Sequence, residues 1–216
     1  MNKIICDAET RPLPNDGEGF SPKDVKLGNL KDAEKIKAKI AESKAIAMEG
    51  SALDPFQGAI CAIGYLHPSE PARIVTASNE TEEKALLKEF WELFVHSRLI
   101  GHNFREFDMP FIVTRSRILN VPGRLNYGKK YGSIIDSKIE DTMEEVACYR
   151  FGARISLKSA ASAFGVRSKL RASESSSIDF WKCLSSGDAV KEAKAKNHLL
   201  ADLEETLAVA QRCGML

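Results

Sequence analysis

Leaving aside an inserted stretch after the first of them, three short strand-like runs precede a strongly helical segment and a fourth follows it, and this order limits the fold more than any other feature of the chain. Residues 3–6 form a brief apolar run. Residues 59–66 form a second, closed by His67-Pro68, and residues 73–76 a short third. Three strands of this kind suggest an antiparallel meander. Asn79 followed by Glu82 then resembles a capping box, and Leu86, Leu87, Phe90, Trp91 and Phe94 recur at helical spacing. The helix delivers the chain to residues 99–102, which read as a buried strand parallel to the first, because a helical crossover separates them.

Further along, the pattern predicts a helix over 108–119, with Pro110 tolerated in its first turn. A short strand is expected at 133–136, and Asp141 to Glu144 looks like a second capping box. A small helix over 156–164 stops at Gly165, a Ser-rich loop covers 173–177, and a last helix spans 188–213. The sum is an α/β fold: a mixed five-stranded sheet, antiparallel meander plus parallel strands, flanked by helices. With 216 residues, 44% of them hydrophobic, the chain can build one sizeable core. Residues 1–216 are therefore expected to form a single domain. Pro, Gly, Asp and Lys mark an insertion at about 11–56, with one helix near 31–46.

The net charge of +1 hides an asymmetry, since residues 111–171 hold twelve Lys or Arg against five Asp or Glu. A basic middle suits a polyanionic substrate, although solvated Lys-rich helices give the same count. The five cysteines are scattered, with no CxxC pair and no zinc spacing, and read as reduced thiols. Met1-Asn2-Lys3 runs straight into a strand-like segment, so no signal peptide is expected. No apolar run approaches the ~18 residues a membrane span requires. The expectation is a cytoplasmic protein with no membrane partner.

Carboxylates fall where a fold of this order can collect them. Asp7 and Glu9 sit at the end of the first strand, two apart, so both point to one face if the strand continues through them. Acidic residues also commonly lead a strand into a turn. Asp108 follows the fourth strand and has an alternative role as N-cap of the next helix. Asp202 lies about 60° from Leu199 at ~100° per residue, on the margin of the stripe formed by Leu199, Leu203, Leu207 and Ala210. It therefore faces partly inward, where it could equally have been one more solvated charge. His198 lies about 40° from Asp202 on the same wheel, so the two share a side of the helix. Clustered carboxylates repel unless cations neutralise them, and hard oxygen donors suit magnesium or manganese.

At this point the residues resemble a known family, the DEDD superfamily of 3′-to-5′ exonucleases with the RNase H-like fold. Asp7-Ala8-Glu9-Thr10 is similar to the first exonuclease motif, Asn103 with Phe107-Asp108 to the second, and the segment ending in Asp202 to the third. The stretches 135–142 and 156–165 with Lys169 are similar to the region before the third motif in proofreading domains of family B DNA polymerases. The segment from Lys26 to Ile36 resembles one in stand-alone phage or prophage proteins of this group. The third motif departs from the superfamily pattern. A Tyr four residues before the last Asp, or a His five before it, stands beside the attacking water in the superfamily, whereas this chain has His198 at four and Asn197 at five. Helical geometry favours His198, because the fifth position is rotated ~140° away.

The resemblance implies a two-ion site for Mg2+ or Mn2+, held by Asp7, Glu9, Asp108 and Asp202, with His198 orienting or deprotonating water. It implies that Thr10, Asn103 and Phe107 contact the substrate, most simply the 3′ end of single-stranded DNA. Two alternatives remain at this stage: a catalytically silent nucleic-acid-binding module of the same fold, and a 3′-5′ exoribonuclease. No residue pattern points to a protein partner.

Overall fold

The computed structural model describes residues 2–13, 22–123, 138–150, 152–170 and 180–216. Among these, five strands form one sheet in the order β3-β2-β1-β4-β5. They are β1 (Asn2–Pro12), β2 (Gly58–Leu66), β3 (Arg73–Thr76), β4 (Ser97–Gly101) and β5 (Ile139–Asp141). β2 and β3 pair antiparallel, Ala62 opposite Thr76. β4 runs parallel to β1, from Asn2 opposite Ser97 to Ile5 opposite Ile100, and β5 runs parallel to β4. The fold class read from the sequence is thus the one found. The fifth strand, however, lies at Ile139–Asp141, whereas the short strand expected at 133–136 falls outside the described residues.

The helices are α1 (Ala33–Gly50), α2 (Glu80–His96), α3 (Met109–Ile118), α4 (Thr142–Val146), α5 (Leu157–Ala163), α6 (Phe180–Leu184) and α7 (Ala189–Arg212). Each main start has a chemical cause. The Asn79 side chain accepts from Glu82 N at 3.0 Å while Glu82 reaches back to Ser78 N at 2.8 Å. Asp188 caps α7 through Val190 N and Ser156 caps α5 through Ser159 N.

Strand pleating sends alternate residues to opposite layers. Cys6 and Leu99 pack with Phe90, Phe94 and Ile112 of α2 and α3, whereas Ile5 and Ile100 pack with Leu203 and Ala210 of α7. Each such fully buried Leu, Ile or Phe contributes roughly 1.5–3 kcal/mol. Gly64 sets how closely α7 approaches the sheet, because a Cβ there would stand 2.8 Å from Leu203 Cδ1 and 3.1 Å from Leu199 Cγ. Beneath α2, the buried Glu83 carboxylate takes both Arg115 Nε and Nη2 at 2.8 Å and Ile60 N at 3.0 Å. That pair ties β2 to two helices.

Backbone contacts divide the chain into two compact units, residues Met1–Glu9 with Ile60–Leu216, and Thr10–Ala59. In the second, Leu13 N donates to Gln57 O at 2.9 Å, and α1 is followed by a 3-10 turn, Ser51–Leu53. α1 begins and ends a few residues later than the helix read from the sequence.

Candidate metal centre

The strand does continue through Asp7 and Glu9, since β1 runs on to Pro12, and both residues are half-buried. Pairing with β4 stops at Ile5, which removes a ladder partner from the backbone beyond it. An Asp108 side-chain oxygen supplies one instead, accepting from Ala8 N at 3.1 Å.

Asp108 reaches that position by an element the sequence did not announce. Residues Phe104–Asp108 form a π-helical turn that leads straight into α3, so Asp108 already has helical dihedrals and its side chain makes no capping hydrogen bond. The N-cap role is therefore corrected: the carboxylate turns to β1, not to the helix start. The turn opens at Asn103, whose φ of 61° is a left-handed conformation that Asn tolerates. Gly101 lets the chain fold back, because a Cβ there would lie 2.5 Å from Phe104 Cβ.

Asp108 is 4% exposed. Burial pushes its carboxyl well above the usual carboxylate range, the charge of Asp7 adds to the rise and that of Glu9 contributes further, while the Ala8 hydrogen bond opposes them. The neighbouring Cys6 thiol is also driven up, by burial first and then by Asp108 and Asp7, which leaves it inert as a nucleophile.

On α7, His198 and Asp202 share one face as the wheel predicts, with His198 Nε2 3.4 Å from Asp202 Oδ2, while Asn197 is exposed. Glu9 joins them: one ligand atom from each of Glu9, His198 and Asp202 lies within 4.8 Å of the others. All three are half-buried, open enough for an ion to enter and sheltered enough for charge to count. Asp7 and Asp108 stand outside that triad and interact electrostatically with each other. Two carboxylates and an imidazole form a donor set that suits a divalent cation. The suppressed ionisation of Asp108 is what a cation beside Asp7 and Asp108 would relieve.

Of the residues expected at the substrate, Phe107 packs against the core and its ring lies 5.9 Å from that of Phe111. The Asn103 Oδ1 atom is buried with no hydrogen-bond partner among the described residues. Thr10 is the first residue of the second compact unit.

Sequence reasoning missed the residues that hold the second motif in place. Asp141 caps α4 through Met143 N at 2.9 Å, and its carboxylate also accepts from Asn103 N at 2.9 Å and Arg105 N at 3.0 Å. The capping pattern was the visible signal, but nothing marked the second task. His102 is clasped between Thr142 Oγ1 at 2.9 Å and the Ile155 carbonyl at 2.7 Å. Burial lowers its pKa, against the pull of that carbonyl and of the Asp141 and Asp202 charges.

A mixed α/β sheet that gathers carboxylates and an imidazole at one strand end offers a donor set of the kind with which hydrolases hold divalent cations. The chain belongs to the family described as DNA polymerase family B, exonuclease domain, whose profile matches residues 30–157. It is a family of hydrolytic nucleases that act on nucleic acid with divalent metals. The matched stretch includes Asn103, Phe107, Asp108 and Asp141, while β1 and α7 lie outside it. Among solved structures, the family B DNA polymerase from the hyperthermophilic archaeon Pyrobaculum calidifontis is similar over 98% of this chain, with a TM-score of 0.61 and 15% identity. The chain spans 24% of that polymerase's length. No curated protein sequence matches it. Among the described residues, no helix is long and apolar enough to cross a membrane.

Proposed function

We propose that this chain is a metal-dependent 3′-5′ exonuclease that removes nucleotides from the 3′ end of DNA, with single strands as the favoured substrate. The observation that carries the reading is the Glu9, His198 and Asp202 cluster, within 4.8 Å, in a chain of an exonuclease-domain family. Asp7, Glu9, Asp108 and Asp202 are the residues that would hold two ions, Mg2+ or Mn2+. Bound there, the ions would lower the pKa of a water and stabilise the departing 3′ oxygen.

The chain's own groups do the positioning. His198 orients the attacking water or takes its proton, and the Asp202 carboxylate at 3.4 Å fixes the ring for that task. Asp108 braces the end of β1 through Ala8 N, which keeps Asp7 and Glu9 aimed at one place. Asn103 offers its buried Oδ1 as an acceptor to the terminal nucleotide, and Phe107 lines the same region. The Thr10 backbone is assigned to the terminal nucleotide as well. Residues 1–216 serve as one exonuclease domain into which about 11–56 are inserted.

Matched 5′-labelled DNA and RNA strands incubated with Mg2+ or Mn2+ test the reading. The expected result is stepwise loss from the 3′ end, faster on DNA, and abolished by Asp7→Ala. Faster shortening of RNA reassigns the substrate. Shortening that survives Asp7→Ala, or DNA held equally well with and without divalent ions and never cut, defeats the proposal.

A further inference from the structure

Two cavities, of about 390 and 550 Å3, share Asn103, Met143 and Arg154 and so form one continuous groove. Its inner end includes His102 and Asn103, and Asn103 opens the Phe104–Asp108 turn that carries Asp108 to the candidate metal centre. From there it runs along α4 to the turn after that helix, where Tyr149 and Arg150 form the outer wall.

The lining suits one kind of chain. The Tyr149 ring is 70% exposed, and it is held there by geometry, because Cys148 and Tyr149 are consecutive left-handed residues, a disfavoured arrangement for non-glycine side chains. Its hydroxyl donates to Glu145 Oε2 at 2.6 Å, which fixes the ring and lifts the phenol pKa to about 12. Arg150 and Arg154 are exposed, and neither has a carboxylate partner among the described residues. Two acidic residues also line the groove. Glu144 is occupied by Arg105 Nε at 3.2 Å, which leaves Glu106 in the lining and Glu145, the acceptor of the Tyr149 hydroxyl, as opposing charges. At the inner end lies Asn103, whose buried Oδ1 has no donor among the described residues.

We infer that this groove binds the single-stranded polynucleotide on the 5′ side of the scissile bond, a base stacking on Tyr149 and phosphates resting on Arg150 and Arg154. It rests on the reading of the chain as a protein that acts on nucleic acid. Base-on-aromatic stacking and arginine–phosphate contacts are sequence-tolerant, so the groove reads strandedness and not base identity.

Fluorescence anisotropy of a labelled single strand of about 12 nucleotides, titrated with the full chain in EDTA, tests the assignment without turnover. Tyr149→Ala weakens binding by about 5- to 150-fold, the range of one lost stacking contact. Tyr149→Phe keeps the ring and binds like wild type. Arg150→Ala with Arg154→Ala lowers the slope of log K against log salt by about 1.4, that is ~0.7 per phosphate contact on a single strand. Lys84→Ala with Arg98→Ala removes the same charge from surface pairs with Glu80 and Glu140 and leaves the slope in place. Absent binding by wild type, unchanged affinity in Tyr149→Ala, or an equal slope change in the control pair overturns the groove. A strand held through these residues but never shortened would leave the groove standing and defeat the hydrolytic reading. Shortening with unaltered affinity in the variants would do the reverse.

Discussion

Replacing Asp108 by Asn separates what the site costs from what it does. The Asp108 carboxyl is 4% exposed, and an Asn side-chain oxygen can still accept from Ala8 N, the 3.1 Å bond that braces β1. What disappears is the charge that burial and Asp7 disfavour. A carboxyl whose folded pKa is raised gives stability that is fully present below the unfolded value, ~3.9 for Asp, and is lost as pH rises toward the folded value. Within that window each pH unit removes about 1.4 kcal/mol from the wild type. The Asn variant lacks this loss, so its advantage grows by the same amount per unit, or ~3–6 °C in midpoint at ~2–4 °C per kcal/mol. Urea and thermal unfolding in EDTA, at steps between about pH 5 and pH 8, measure it. A variant no more stable than wild type at neutral pH, or curves that stay parallel, would refute the burial-and-repulsion argument. Divalent ions should invert the order, since at a hundredfold excess over Kd they add about 2.7 kcal/mol to a chain that binds them.

Other substitutions probe separate links. His198→Gln should lower turnover by about 10²–10⁴ with Mn2+ affinity within about twofold of wild type, if the ring manages water. A 10–100-fold loss of Mn2+ affinity, read by titration, would make it a ligand instead. Arg115→Met leaves Glu83 buried without its partner and should cost about 3–5 kcal/mol, a midpoint drop of ~6–20 °C in a thermal melt. A drop under ~2 °C would mean that the pair holds nothing together. Gly64→Ala forces Leu199 and Leu203 away from the sheet and should cost about 1–3 kcal/mol. Because those leucines flank His198 and Asp202, nuclease activity should fall with it, and full activity would show that α7 tolerates displacement.

The parts of the fold legible in the sequence were those with local causes. The Asn79–Glu82 capping box, the strand runs and the inward lean of Asp202 each arise within a few residues, and periodicity exposes them. β5 is three residues long, too short to show any period. The π-turn at Phe104–Asp108 was hidden because its wider winding is set by the fold around it, above all by Asp141, 38 residues from Asn103, gripping the backbone. For the same reason Asp108 was legible as an acidic residue near a strand end but not as a partner of Ala8. The coupling of Glu83 to Arg115 spans 32 residues and carries no local signature. At the candidate site the sequence identified the acids, and the folded chain showed that they are unequal: Glu9, His198 and Asp202 converge, while Asp108 is buried against β1.

The most direct test of the metal centre is anomalous diffraction from crystals of the protein soaked in Mn2+. Density on Glu9 and Asp202, with further density toward Asp7 and Asp108, is the predicted result, and it should vanish in Asp7→Ala crystals. An empty cluster at saturating Mn2+, or manganese bound only at residues away from these four acids, would contradict the account.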